Sequence, residues 1–133
     1  MDMAQFKNLF TQLTIGSTEL KNRILSTAHQ TNHVTDGIPT SDMVAYHEAR
    51  AKGGVGLIIL EAASVHPSGM LTSKTIAGYD QRIVDAYKEL SETLHKYETK
   101  VFSQLFHGGR KSYRATIEMR HGRLQPFPAC ALA

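Results

Sequence analysis

Tryptophan is absent from this sequence, and cysteine occurs once in 133 residues. One thiol excludes an internal disulfide framework and a cysteine-rich zinc centre. Cys130 is therefore read as a free thiol near a chain end rather than a catalytic group. No apolar run approaches the roughly 20 residues that span a bilayer. The opening segment, Met1 to Phe10, lacks the basic-then-apolar pattern of a secretion signal. The expectation is a cytoplasmic protein with no membrane partner. Charge of neither sign dominates: 15 Lys and Arg against 12 Asp and Glu give a net charge of +3. Part of the excess lies late, where Arg110, Lys111, Arg114, Arg120 and Arg123 are opposed only by Glu118. A basic tail can bind nucleic acid. This one carries no nucleic-acid motif, so it is read as a solvated face or a segment beside an anionic cofactor, with no nucleic-acid partner. Metal-binding spacing is also missing. Of the 7 histidines, His29, His33, His66 and His107 fall near expected strand ends, but no H-E-x-x-H or similar close pair occurs. No metal site is expected.

What is present is an alternation of short apolar runs and amphipathic stretches, the pattern of parallel β/α units. Two short alternating runs split by Gly16-Ser17 predict a hairpin near residues 10–20. A first strand is predicted over Lys21 to Ala28, then a loop to Pro39 with Asp36-Gly37 as turn residues. The first helix is expected to begin near Thr40 to Asp42, capped by those side chains, and to end at Gly53-Gly54. Val55 to Leu60 is continuously apolar, as a strand covered on both faces requires, and Glu61-Ala62-Ala63 follows it. Asp80 is expected to cap a second helix. There Ile83, Tyr87, Leu90 and Leu94 form one apolar stripe. The third strand is Lys100 to Phe106, and from about residue 111 periodicity fades into a long loop. The fold class is α/β, built as β-α-β-α-β after a hairpin.

Ligands in parallel α/β folds bind at the carboxyl ends of strands. All three strand ends here turn small and polar: Ser26 to Gln30, Glu61 to Ala63, and Gln104 to Arg110. Small residues admit a flat ring close to the backbone. Gln104 offers a donor and an acceptor in one plane, which suits the alternating carbonyl and N–H edge of an isoalloxazine. Arg110 can supply positive charge beside a reduced ring or a phosphate. Glu61 is read as the partner of a neighbouring basic group, with a general base as the alternative.

Four ordered blocks carry a resemblance: Leu20-Lys21-Asn22-Arg23-Ile24; Tyr46 with Arg50 to Ile58; Glu61-Ala62; and Gln104 to Arg110. The sequence resembles the old yellow enzyme family of NADH:flavin oxidoreductases. The run Glu61 to Pro67 looks most like the branch of the dienoyl-CoA reductases and trimethylamine dehydrogenase. The resemblance implies FMN on top of a (β/α)₈ TIM barrel, reduced by NAD(P)H. Hydride then passes to an activated C=C bond or a related acceptor, or a small amine is oxidised. By position it implies that Thr27, Ala28, His29 and Gln30 line the flavin, that Ala62 lies under the ring, and that Gln104 bonds the pyrimidine edge. His107 and Arg110 match a motif after the third strand whose role is partly structural. Ala28-His29 stand where the family often has Pro before Met or Leu, and Gln30 stands where some members carry Cys or Thr. No cysteine is near the first strand to bond FMN covalently.

A full barrel takes about 250 residues. Residues 1–133 are therefore expected to form an incomplete FMN-binding barrel domain of about three β/α units. The expectation is the N-terminal part of an FMN-dependent NAD(P)H oxidoreductase acting on a small molecule, inactive by itself. The alternative is a catalytically silent partial barrel that needs partner chains, or a homo-oligomer, to bury its open sheet edges.

Overall fold

The computed structural model describes residues 6–113. Cys130, the late arginines from Arg114 on, and most of the loop expected from about residue 111 lie outside those residues.

An antiparallel hairpin comes first. Strands β1 (Leu13–Ile15) and β2 (Thr18–Leu20) pair Leu13 with Leu20 and Ile15 with Thr18 across the Gly16-Ser17 turn. The next strand, β3, is only Leu25–Ser26, much shorter than the run expected from residue 21. The reason lies in Asn22. Its Oδ1 accepts from the Ile24 N–H at 3.1 Å, and its Nδ2 donates to the Gly54 carbonyl at 2.7 Å. These side-chain bonds take the place of ladder bonds. Strands β4 (Val34–Thr35) and β5 (Ile38–Pro39) form a two-residue ribbon. Its turn residues, Asp36 and Gly37, both have positive φ, 51° and 78°, as a tight hairpin turn requires.

Helix α1 (Ser41–Lys52) buries Met43, His47 and Ala51. Its N-cap Thr40 makes no side-chain cap bond, contrary to the expected cap. The Thr40 hydroxyl donates instead to the His33 carbonyl at 3.0 Å, tying the helix start to the preceding loop. At the other end Gly54, not Gly53, takes the left-handed conformation, with φ 95°. Helix α2 (Ile83–His95) buries Ile83, Leu90 and Leu94 from the expected stripe. Its N-cap is Arg82 rather than Asp80. Asp80 acts from two residues earlier, where its carboxylate accepts from the Arg82 N–H at 2.9 Å and its carbonyl from the Ile83 N–H at 3.1 Å.

Strand β6 (Leu57–Ser64) extends beyond the expected run, so Glu61, Ala62 and Ala63 lie within the strand and not after it. Strand β7 (Lys100–Phe106) has the expected bounds. The sheet is parallel in the order β3-β6-β7, with helical crossovers, and its three strands do not close a barrel. Helices and sheet meet over Met43, Ile58, Leu60, Ala63, Ile76, Leu90 and Leu94, all at most 2% exposed. Each large apolar side chain buried there contributes about 1.5–3 kcal/mol. The register between β6 and β7 slips once. Ile59 faces Phe102 and Ala62 faces Gln104, so Leu60 and Glu61 together stand against Ser103. This β-bulge lets both Leu60 and Glu61 be buried while Ala62 remains half-buried opposite Gln104. Among the described residues no helix is long and apolar enough to cross a membrane.

Candidate functional site

The three strand ends converge on a cavity of about 260 Å³, lined by Ala28, His29, Gln30, Glu61, Ala62, Leu71, Thr75, Gln104 and Phe106. Five of the eight residues singled out in the sequence therefore share one surface: Ala28, His29, Gln30, Ala62 and Gln104. Thr27, His107 and Arg110 lie nearby in the chain but do not line it. A larger polar hollow of about 560 Å³ lies at the opposite, amino ends of the strands, among Gln12, Glu19, Lys21, His95 and Lys100. It gathers none of the strand-end residues, and carboxyl ends are where parallel sheets place their ligands.

Parallel pairing sets Ala62 beside Gln104 on neighbouring strands. The Gln104 side chain is exposed, and its carboxamide makes no hydrogen bond among the described residues. A planar donor–acceptor pair thus stands free at the rim of a wall whose other members, Ala28 and Ala62, are small.

The loop after β3 is held in three places. Gln30 Nε2 donates to Thr72 Oγ1 at 2.7 Å, joining it to the segment after β6. That segment is itself folded on buried Thr75, whose hydroxyl accepts from the Leu71 and Thr72 N–H groups at 3.1 and 3.0 Å. His29 Nδ1 lies 3.1 Å from the Thr27 carbonyl, which can only accept, so Nδ1 carries a proton. On a neutral ring Nε2 then accepts from the Tyr46 hydroxyl, its other partner. Third, the Thr31 N–H donates to Glu61 Oε2 at 2.7 Å, and the Thr31 hydroxyl donates to the same oxygen.

Glu61 is 2% exposed, and among the described residues its partners are these two neutral donors, not the basic group expected from the sequence. Its other oxygen, Oε1, is buried without a hydrogen-bond partner among the described residues. The physical reason for the correction is the bulge, which buries this carboxylate within reach of Thr31. Burial first, with the Glu61 charge adding, pushes the Tyr87 hydroxyl above its usual value, against a lowering hydrogen bond with Ser103.

Beneath His29 lies a stacked cluster on α1. Arg50 sits 3.4 Å over the centre of the Tyr46 ring, and its Nη1 donates to the Tyr46 carbonyl at 2.8 Å. His47 packs edge-on against the same ring with centroids 5.1 Å apart. It is 1% exposed. Burial, aided by the nearby charges of Arg50, His29 and His33, holds its pKa down at about 4.

His107 acts at a different place. Its Nδ1 accepts from the Gly109 N–H at 3.0 Å, so its Nε2 carries the proton when the ring is neutral and donates to Ser68 Oγ at 3.2 Å. Ser68 in turn pairs with His66 Nδ1 at 2.8 Å. This chain ties the loops after β6 and β7 together. Arg110 is exposed in the short 3₁₀ turn Gly109–Lys111. Among the described residues no group of three His, Cys, Asp or Glu side chains is placed to hold a metal ion. Sequence reasoning missed Thr31, Leu71, Thr75 and Phe106 as parts of this site. Phe106 ends a recognised strand and could have been found; the others depend on loops that carry no local signal.

A model of the family described as NADH:flavin oxidoreductase / NADH oxidase matches residues 8–128. The chain is 38% identical over 112 residues to an NADH oxidase of Thermoanaerobacter brockii, covering 83% of this chain and 17% of that protein. It is 35% identical over 108 residues to an NADPH dehydrogenase of Bacillus subtilis, covering 80% of this chain and 32% of that one. Its fold is similar to the old yellow enzyme from Trypanosoma cruzi, with a TM-score of 0.75 and 29% identity over 81% of this chain and 29% of that chain. The chain thus spans about a third or less of the length of each of these three proteins.

Proposed function

Because this chain belongs to the NADH:flavin oxidoreductase / NADH oxidase family, of the old yellow enzyme type, we propose that it builds one side of an FMN site. The whole protein is then an NAD(P)H-dependent oxidoreductase acting on a small molecule. The chemistry that FMN supplies when bound is hydride transfer between NAD(P)H and an acceptor such as an activated C=C bond, or from a small amine. The observation that carries this reading is the cavity at the strand ends, with a free Gln104 carboxamide beside small Ala62 and Ala28. The donor set fits the group. Gln104 would bond the pyrimidine edge, Ala28 and Ala62 would admit the ring face, and the loop of Thr27, His29 and Gln30 would border it. His107 supports the neighbouring loop through Ser68, and Arg110 would supply positive charge beside the reduced ring or its phosphate. A cytoplasmic setting accords with this chemistry.

A second reading rests on the sheet edge. Leu105 on outer strand β7 is 74% exposed, which favours a module that completes itself against a partner or a second copy. Titration with FMN separates the two. FMN binding gives quenched fluorescence and a shifted flavin spectrum, and Gln104→Ala weakens it on the order of tenfold by removing paired hydrogen bonds. An unchanged spectrum at high micromolar FMN refutes the FMN site.

A further inference from the structure

The geometry points to Glu61 as a positioning residue that sets the shape of the cavity loop through Thr31. A carboxylate is costly to bury, and Glu61 is buried to 2% exposure without a cationic partner among the described residues. The register slip between Ile59 and Ala62 puts it there by placing two β6 residues, Leu60 and Glu61, against Ser103 alone. Without that extra residue Ala62 would lose its place beside Gln104. One bulge therefore sets both the wall of the cavity and the anchor of its loop.

The anchor is specific. Glu61 Oε2 takes both the main-chain N–H and the hydroxyl of Thr31. The Thr31 hydroxyl in turn accepts from the His33 N–H at 3.2 Å. Between them lies Asn32 with φ 65°, a left-handed turn that needs outside support. Immediately before Thr31 stand His29 and Gln30, whose side chains border the cavity. Bonds to an ionised acceptor are roughly twice as strong as neutral ones, so a carboxylate holds this turn more firmly than an amide would. Glu61 acts through Thr31 on His29 and Gln30, which border the cavity.

The inference rests on the FMN reading, so the test has two readouts: FMN affinity by fluorescence quenching and hydrogen exchange at the Thr31 amide. The 133-residue chain is compared with Glu61→Ala, Glu61→Gln, Thr31→Val and Thr31→Ser. Glu61→Ala is expected to weaken FMN binding by about tenfold or more, from the loss of two charge-assisted bonds. Glu61→Gln and Thr31→Val fall between it and the parent, and Thr31→Ser restores binding to within about twofold because the hydroxyl returns. Adding Thr31→Val to Glu61→Ala costs less than Thr31→Val alone, since the shared bond is already gone and only the bond from the His33 N–H is left to lose. The Thr31 amide exchanges slowly in the parent and fast in Glu61→Ala, with or without FMN. Parent-like FMN affinity in Thr31→Val, no rescue by Thr31→Ser, or additive losses would overturn the assignment. A parent chain that binds no FMN, yet shows the exchange difference, sinks the FMN reading and leaves the loop anchor standing.

Discussion

His47 shows what burial does to a single side chain. The ring is packed edge-on to Tyr46, its nitrogens have no partner among the described residues, and charging it would place a cation beside Arg50. The folded state therefore keeps it neutral down to about pH 4, while in the unfolded chain it titrates near the ordinary histidine value of 6.5. Between these values the unfolded chain binds more protons than the folded one. The stability His47 contributes is complete above about pH 6.5 and is lost progressively as pH falls to about 4. Thermal melts over this range are expected to show a falling Tm, and His47→Phe to flatten the slope. An unchanged slope in that variant would assign the pH dependence to other groups. His47 lay in the sequence as one more helical residue. The environment that removes its charge is made by burial and by loop residues His29 and His33 as well as by its own helix.

At the scale of elements, the junction from α1 into β6 is decided by contact between distant segments. Gly54 turns the chain with φ 95°, and its carbonyl accepts from Asn22. Two residues later Gly56 passes so close to Asn22 that a Cβ there would lie 2.5 Å from Oδ1 and 2.8 Å from the main-chain oxygen. Gly56 N–H also donates to the Ile24 carbonyl at 3.0 Å, fastening β3 to β6 at its start. Gly56→Ala is therefore expected to destabilise the chain by about 1–3 kcal/mol, as overpacking against backbone does. A denaturant midpoint unchanged from the parent would show that Asn22 can yield. Two of the four blocks that carry the family resemblance, around Asn22 and around Gly54, are thus two sides of one contact. Read along the chain they are separate motifs.

Over the whole molecule, strand β6 is the centre. Among the described strands it alone is paired on both sides, to β3 and to β7, and it carries Ile58, Leu60 and Ala63 into the core. The outer strands expose apolar side chains, Leu25 at 47% and Leu105 at 74%. Native-state hydrogen exchange is expected to protect the amides of Leu57–Ser64 most strongly, with β7 intermediate and two-residue β3 weakest, because opening the centre requires unfolding the whole sheet. Faster exchange in β6 than in α1 would contradict this hierarchy.

The sequence by itself determined the alternation of strands and helices, the inward stripe of α2 and the bounds of β7. These depend on period and propensity, which are local. It also marked the strand ends that meet at the cavity, since a parallel sheet gathers its carboxyl ends whatever its details. The tertiary structure alone decided the shortness of β3, the length of β6 and the bulge at Leu60-Glu61. It alone gave Glu61 Thr31 as its partner in place of a basic group. Each of these depends on which distant atom fills a position: Asn22 against Gly54 and Gly56, Ser103 against two residues of β6, and a loop threonine over a carboxylate. A one-dimensional pattern contains the residues of such contacts but not the register that brings them together.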